Sequence, residues 1–500
     1  MELFWHRRDL RIADNRGLTA AGDATDGGAS IFVFDDTVLE HAAPPRVAFM
    51  LDALSALRER YRERDSQLLL ARGDPSTVLP AAAAKLEADR VVWNRDYSGL
   101  ARERDTDVRR ALEEVDIDQG AFHDAVHHEP DAIRTNAGDP YSVFTYYWKK
   151  WRDREKSSPY PAPDPDDLAD AERVRDLAAE LDGALEALPS LGDLGCSEPE
   201  AEIQPAGTEA ARRRLQEFCD GPIYRYESRR DYPADGATSR LSADLKWGTI
   251  GVREVWEATV EAAEKLEGGK DGDCDGDRDG DRDGDRDGAE KQDSVEEFQS
   301  QLAWREFYTQ VLFHNPEVVS ENYREYENPI EWENDPELIA AWKDGETGYP
   351  IVDAGMRQLR AEAYMHNRVR MIVASFLTKD LLVDWRHGYD WFKETLVDHD
   401  TGNDTGGWQW AASTGTDAQP YFRIFNPMTQ GERYDPDAEY IKTYVPELSD
   451  IESDVIHEWH ELSETERHRI APGYPEPIVD HSRRREMALE MFERARAEKD

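Results

Sequence analysis

DHDTGNDTGGWQWAASTGTDAQPYFRIFNP, residues 398–427, sets Asp398, Asp400, Asn403 and Asp404 beside Gly406, Gly407, Trp408 and Trp410. A purely structural helix does not concentrate Gly, Asp and Asn next to its tryptophans, because those residues favour caps and turns. A disordered loop does not carry Trp-x-Trp-Ala-Ala. The stretch reads as the wall of a buried site for something flat, polar at its edge and partly charged. The glycines would let a planar ring approach the backbone. The acids and Asn403 would offer acceptors or donors to a ring edge and a ribose.

Outward from this stretch the signals are helical. From about residue 208 the segments are long and rich in helix formers, and eight of the fourteen Trp follow residue 297, which predicts an all-α second domain (206–500). Residues 1–128 differ. ELFW (2–5), SIFVF (30–34), QLLLA (67–71) and RVVW (90–93) read as buried strands, with a helix at helical apolar spacing over 46–64. Such alternation predicts an N-terminal α/β domain built on a Rossmann-like parallel sheet, although no G-x-G-x-x-G fingerprint is present. Residues 129–205, rich in Pro, Asp, Ala and Glu, read as a surface connector with a few short helices. The D-G-D repeats of 268–294 lack the spacing and closing Glu of a calcium loop. They predict a disordered acidic insertion.

Net charge is −46, carried against 48 Arg and only 13 Lys. A binder of cations or basic proteins would show such a balance. Here the acids spread over the whole length, which predicts a halophile surface kept hydrated at high salt, where salt also screens their repulsion. Cys196, Cys219 and Cys274 are too few and too scattered for a disulfide framework, and no metal site is expected. Residues 1–20 hold four Arg and no apolar core of a signal peptide. No run approaches the ~18 apolar residues of a membrane helix. A soluble monomer in a reducing, high-salt cytoplasm is expected.

Three further segments carry chemistry. In PIYRYESRRDYPADGATSRLSADLKW (222–247), Thr238, Ser239 and Ser242 surround Arg240 and Leu241. That grouping suits phosphate or pyrophosphate and also suits an ordinary helix N-cap. In FQSQLAWREFY (298–308), Phe298, Gln301, Trp304, Arg305 and Tyr308 share one helix face, and the Gln and Arg exceed what core packing calls for. Residues 360–386 hold five Arg or Lys and three Asp or Glu, a locally basic, aromatic-lined patch in which Asn367, Arg368, Arg370 and Met371 form a helix face.

Together these segments resemble the DNA photolyase/cryptochrome family, from FWHRRDLRIADN (4–15) through TSRLS, WREFY, TGYPIVDAGMRQL, MHNRVRM and GGWQWAASTGTDAQPYFRIFNP to YPEPIVDH (474–481). The nearest likeness is to the microbial (class I) cyclobutane-dimer photolyases. The resemblance implies an antenna domain, a connector and a helical domain holding a U-shaped FAD. It places Tyr226, Thr238, Ser239, Arg240, Leu241 and Ser242 at the FAD phosphates and ribityl chain. Arg370, Asp398, His399, Asp400 and Asp404 fall beside the flavin ring. Trp304 and Trp410 become walls for a flipped pyrimidine dimer, and Arg230, Gln301, Arg305, Asn367, Arg368 and Met371 contacts to the dimer or the DNA backbone. Trp332, Trp385 and Trp408 match the family's photoreduction chain. Arg8, Arg46, Asp96 and Lys246 match the residues that hold a hydroxy-deazaflavin antenna, with methenyltetrahydrofolate the alternative chromophore.

The implied activity is light-dependent repair of pyrimidine dimers in UV-damaged DNA by an electron from excited reduced FAD. A damaged pair is cheap to flip from the duplex, and the cofactor carries the electron chemistry. Phe298 and Tyr364 stand where Trp is usual, Gln301 where Glu is usual, and Asp404, facing flavin N5, where photolyases usually have Asn. A six-four photolyase would show His at Asn367 and Met371. A cryptochrome, a light sensor, usually carries a C-terminal tail and loses DNA-gripping residues, whereas Trp304, Arg305, Asn367, Arg368 and Trp410 are kept here.

Overall fold

Four of the strands form because their apolar runs are buried on both sides. In the computed structural model, which describes residues 1–24, 27–268 and 281–497, β1 (Glu2–His6), β2 (Gly28–Phe34), β3 (Leu68–Arg72), β4 (Arg90–Asn94) and β5 (Asp118–Phe122) run parallel. A two-residue strand, β6 (Ala184–Leu185), pairs antiparallel with β3. Successive side chains point to opposite faces. Leu3, Trp5, Ile31, Val33, Val91 and Trp93 fill one core, and Phe4, Phe32, Phe34, Leu68, Leu70 and Val92 fill the other. Continuous apolar runs are what a parallel sheet covered on both faces requires.

The strand order is β5-β4-β1-β2-β3-β6. From β1 the sheet grows one way through β2 and the other way through β4. The carboxyl ends of β1 and β4 therefore flank a crevice, the place where open α/β sheets bind ligands. Arg7 and Arg8 follow β1 there, and Arg95 and Asp96 follow β4.

The sequence reading missed β5 because DQGAF, at the sheet edge, offers only Ala121 and Phe122 as strong apolar signals. The connector is also less superficial than expected. Its helix Phe144–Arg152 buries Phe144, Tyr147 and Trp151 against the helical body, while Ala171–Glu180 packs Val174 and Leu177 onto the sheet. Aromatics in FTYYWKKWR supply the burial that its Pro- and Asp-rich flanks lack.

The C-terminal body is helical. One core surrounds Trp342, Trp385 and Trp408, and another surrounds Tyr226, Phe298 and Phe307. The helix Asp281–His314 begins inside the stretch expected to be a disordered insertion, so its part from 281 to 294 is helical, and residues 269–280 lie outside the described residues. Val295, Phe298, Leu302, Phe307 and Val311 bury one face of this helix. Once that nucleus exists, each added turn toward the N-terminus costs little, and Lys291 pairs with Asp287 at 2.5 Å one turn away. Among the described residues, no helix is long and apolar enough to cross a membrane, and no group of His, Cys, Asp and Glu is arranged for a metal ion.

Two buried arginines fasten the sheet domain to the helices. Arg253 reaches Asp14 and Asp124, and Arg11 reaches Asp124 and, at 3.1 Å, the Gly248 carbonyl. All four side chains are at most 4% exposed. A Cβ on Gly251 would lie 1.8 Å from the Asp14 carboxylate, so this approach requires glycine. Removing one partner of a buried ion pair strands the other charge. Arg253→Met should therefore cost about 3–5 kcal/mol, read by urea unfolding at fixed high salt. A loss below about 1 kcal/mol, the range of an exposed pair, would show that this joint does not hold the domains.

Candidate functional site

The site is centred on one ion pair. Arg370, in the helix Asn367–Ser375, donates from Nη2 to both oxygens of Asp398 at 3.0 and 2.7 Å, and from Nε to the Met365 carbonyl at 2.8 Å. Burial opposes the charge on Arg370, but Asp398 and then Asp404 outweigh it and keep the guanidinium protonated. Asp404 lies 3.9 Å from Arg370, 2.5 Å from His399 Nδ1, and accepts the Asp400 N–H at 3.2 Å. Burial pulls the His399 ring below its ordinary range, with Asp404 acting the other way. Tyr364 lies under both Arg370 and Arg240, at 5.6 and 4.3 Å from its ring centre.

The 238–242 loop closes the other side. Arg240 has φ 52°, a left-handed conformation, and donates to Glu362 at 2.6 Å. Leu241 is buried, the Ser239 hydroxyl accepts the Leu241 N–H at 3.5 Å, and Ser242 opens the helix Ser242–Trp247. The Tyr226 ring packs edge-on against Phe218 and Phe298.

Arg8 links this centre to the sheet crevice. Its guanidinium spans Asp96 at 3.1 Å and Asp400 at 2.6 Å, while its Nε donates to the Lys246 carbonyl at 3.1 Å. Asp400 also caps the helix Thr401–Ala412, accepting from the Asn403 backbone at 3.1 Å and side chain at 2.8 Å. Burial works against ionisation of Asp96 and Asp400, yet Arg8 and Lys246 hold both below the usual carboxylate range. Burial, followed by Arg8, pushes the Lys246 amine down to about 7. Arg8, Asp96 and Lys246 thus converge. Arg46 instead spends its guanidinium on the Lys393, Leu396 and His41 carbonyls.

On the helix Asp281–His314, Gln301, Trp304, Arg305 and Tyr308 are half-buried while Leu302, Ala303 and Phe307 are fully buried. Trp304 stacks on Phe144 at 3.7 Å and 12°. Glu297 joins Arg230 to Gln301, the latter at 3.0 Å. Arg368 pairs with Asp231 at 2.6 Å and covers the Tyr434 ring. Asn367 is exposed and lies 3.9 Å from the Met371 sulfur. Trp410, half-buried, tilts against Phe425. Arg305 is turned away from this group and donates to the carbonyl of Ala125 in the sheet domain at 2.6 Å and to that of Leu245 at 3.1 Å. Glu297, Asp231 and Phe144 escaped the sequence reading. Glu297 is one helical turn before Gln301 and Asp231 directly follows Arg230, signals that could have found both.

The glycines divide their work. A Cβ on Gly406 would strike the Tyr308 ring at 2.2 Å, so Gly406 is required by packing, whereas Gly407 faces open space. Only Gly407 leaves the room for a planar group that the sequence suggested for the pair.

Trp408 is 2% exposed, touches Trp342 at 6.0 Å and Phe392 at 4.9 Å, and has no partner for its indole N–H among the described residues. Trp385 donates to Asn322 at 2.9 Å and touches Tyr389, whose ring reaches His399 at 5.5 Å. Trp332 lies farther out against Phe492. Tyr389 and Trp342, neither singled out from sequence, are aromatic neighbours of this set.

Residues 298–494 match the family described as the FAD binding domain of DNA photolyase, and residues 2–166 the family described as DNA photolyase. The deoxyribodipyrimidine photo-lyase of Halobacterium salinarum is 62% identical over the full length of both chains. This chain belongs to the DNA photolyase/cryptochrome family. A bacterial class III photolyase from Agrobacterium tumefaciens superposes with a TM-score of 0.83 at 33% identity, covering 99% of this chain and 97% of that one. An archaeal photolyase from Sulfolobus tokodaii, solved with two FAD molecules, gives 0.78 at 30% identity, covering 99% and 100%. The residues present fit the FAD of such a family member. A hydroxyl-bearing loop with a left-handed turn faces a charged Arg370–Asp398 pair, beside a helix whose Gly407 leaves open space.

The four departures from the common photolyase pattern each have a partner. Phe298 packs on Tyr226, Tyr364 carries two guanidinium groups, Gln301 bonds Glu297, and Asp404 bonds His399.

Trp408 is held by close packing. A Cβ on Gly388 would lie 2.0 to 2.6 Å from the Trp408 ring. Gly388→Ala should destabilise the protein by about 1–3 kcal/mol, the usual cost of overpacking, and change the near-UV circular dichroism of the tryptophans. An unchanged spectrum and unchanged stability would contradict that packing.

Proposed function

We propose that this protein repairs cyclobutane pyrimidine dimers in DNA under light, a deoxyribodipyrimidine photo-lyase activity of the class I type. The supporting observation is that the Arg370–Asp398–Asp404 centre and the Trp304 and Trp410 rims occur in one helical body, in a chain aligned end to end with such an enzyme. The chemistry FAD supplies when bound, reduced and excited is one electron, which opens the cyclobutane ring and is then recovered.

The chain's own residues bind and orient. Thr238, Ser239, Arg240 and Ser242 offer donors to the phosphates, and Tyr226 and Leu241 close that loop. Arg370 and Asp398 fix the polar edge of the ring, with Asp400 beside them and Asp404 hydrogen-bonded to His399. Trp304 and Trp410 stack on the extruded bases, stacking worth about 1–3 kcal/mol per base. Arg230, Gln301, Asn367, Arg368 and Met371 line the rim toward the DNA. Trp408, Trp385 and Trp332 relay an electron inward from the surface. The acid-rich surface suits the cytoplasm of an organism living at high salt.

The test is a thymine-dimer oligonucleotide given to the photoreduced FAD protein. Dimers should disappear under blue or near-ultraviolet light and persist in the dark, and Trp410→Ala should weaken binding of the damaged strand by about 1–3 kcal/mol. Tight binding with no repair in light would point instead to a light sensor of the cryptochrome type.

Arg8, Asp96 and Lys246 support an antenna chromophore at the crevice, a hydroxy-deazaflavin in preference to methenyltetrahydrofolate, with Arg46 behind it. An acidic chromophore that ionises would bind the protonated Lys246. Lys246 faces Arg8, Arg46, Asp96 and Asp400, and its amine loses its proton as pH rises through about 7. Affinity for the deazaflavin should therefore be greatest below that value and fall from pH 6 to 8.5, and Lys246→Met should flatten the dependence. A profile identical in the variant would remove Lys246 from the site.

A further inference from the structure

The carboxyl end of the helix Thr401–Ala412 rests on a buried lysine. Lys379 is 1% exposed and is the only buried lysine among the described residues. Its Nζ donates to the Ala412 carbonyl at 3.1 Å and to the Ser413 hydroxyl at 2.9 Å, and lies 3.8 Å from the centre of the Phe492 ring. Arg7, Arg11 and Arg253, also buried, each hold a carboxylate. Burial pushes the Lys379 amine well below the usual lysine range, with no carboxylate acting the other way. What favours its charge is the partial negative end of the helix and the face of the Phe492 ring.

From that helix end the chain turns back along the cleft. Ser413 and Asp417 bracket the turn, both with left-handed backbone, φ 66° and 47°. Non-glycine residues keep that conformation only where their surroundings hold it. Here the Thr414 and Gly415 N–H groups donate to the Gln409 carbonyl at 3.0 Å, and the Gln419 N–H donates to the Trp410 carbonyl at 3.2 Å. On its other side the same turn grips the connector. The Thr416 hydroxyl donates to the Ser142 carbonyl at 2.6 Å, and Asp417 accepts the Phe144 N–H at 3.1 Å. The helix Phe144–Arg152 has no side-chain cap from its own N-cap residue, so the distant Asp417 carboxylate serves as its cap. Phe144 is the ring stacked on Trp304. One turn therefore reaches Trp410 through Gln419 and Trp304 through Phe144.

We propose that residues 413–419 form a spacer that fixes the gap between Trp304 and Trp410, with Lys379 and Asp417 as its positioning residues. The spacer matches the cleft to an extruded, linked pair of bases. A gap wider by about 0.5–1 Å already forfeits roughly a quarter to a half of a dispersion contact, so a small movement of either wall alters selectivity. The inference rests on the repair reading above and adds to it the residues that set its selectivity.

The experiment uses the FAD-loaded protein with a thymine-dimer oligonucleotide and its undamaged counterpart, at one fixed salt concentration. Asp417→Gly removes the acceptor and leaves the left-handed backbone accessible, whereas Asp417→Asn keeps both. Asp417→Gly should weaken dimer binding at least fivefold while undamaged DNA binds, and the flavin photoreduces, as in the parent. Asp417→Asn should restore dimer binding. Equal weakening for both oligonucleotides, a fall in photoreduction, unchanged dimer binding in Asp417→Gly, or an Asn variant as weak as the Gly one would overturn the proposal. Lys379→Met should show the same selective loss, and parent-like dimer binding there would remove Lys379 from the spacer. Should Lys379→Met fail to fold, the Asp417 pair decides. A parent protein with no preference for the dimer would sink the repair reading. The near-ultraviolet circular dichroism of the Phe144–Trp304 stack then decides the spacer. A change in Asp417→Gly that Asp417→Asn reverses upholds it, and a spectrum that is unchanged or not restored overturns it.

Discussion

Arginine–aspartate pairing inside an acid-rich chain is the constraint on which the rest of this structure depends. Arg11 and Arg253 hold Asp14 and Asp124 where the sheet meets the helices, Arg8 joins Asp96 to Asp400, and Arg370 grips Asp398. Each of these charges is enclosed, so removing its partner would leave it without a counter-ion in a poorly solvated place. Domain docking and site assembly are therefore one event, because Asp400 belongs both to the crevice of the sheet and to the cap of a helix at the site. Enclosed pairs are screened far less by salt than exposed ones. The internal framework is thereby insulated from the salt that the acidic exterior is suited to.

Much of this was legible in the sequence. Strands buried on both faces announce themselves as unbroken apolar runs, which is why β1 to β4 could be read and the edge strand β5 could not. The helical body and its flavin-type centre follow from short blocks such as TSRLS and MHNRVRM, whose residues the structure gathers around Arg370 and Tyr364. What escaped depends on distant partners. Arg305 has the look of a cleft residue from its helical phase, but carbonyls at Ala125 and Leu245, from two different segments, claim its guanidinium. Arg46 is claimed in the same way by Lys393, Leu396 and His41. No periodicity of a single segment encodes such long-range capture.

Gly406 shows the same lesson on a smaller scale. Glycine beside aromatic residues suggests room for a ligand, and for Gly407 the room exists. At Gly406 the space belongs to Tyr308, a residue nearly a hundred positions earlier. Two adjacent glycines of one motif thus answer to different demands, one to packing between helices and one to the open cleft.

The helix Thr401–Ala412 explains why Trp-x-Trp occurs where it does. At 3.6 residues per turn, positions two apart differ by about 200° around the helix. Trp408 therefore shares a buried side with Asp404 and Ala411, and Trp410 shares the more open side with Asn403 and Gly407. One tryptophan is delivered to the core and its neighbour to the cleft without any bend in the backbone. Asp400, as the cap of the same helix, fixes its rotation through Arg8, and Gly388 lets a second helix close on Trp408. A change in the register of this single helix would displace the crevice contact, the acid beside Arg370, the buried indole and the cleft wall together. The conjunction of Asp, Gly and Trp in DHDTGNDTGGWQW is what four simultaneous demands on one helix look like in sequence.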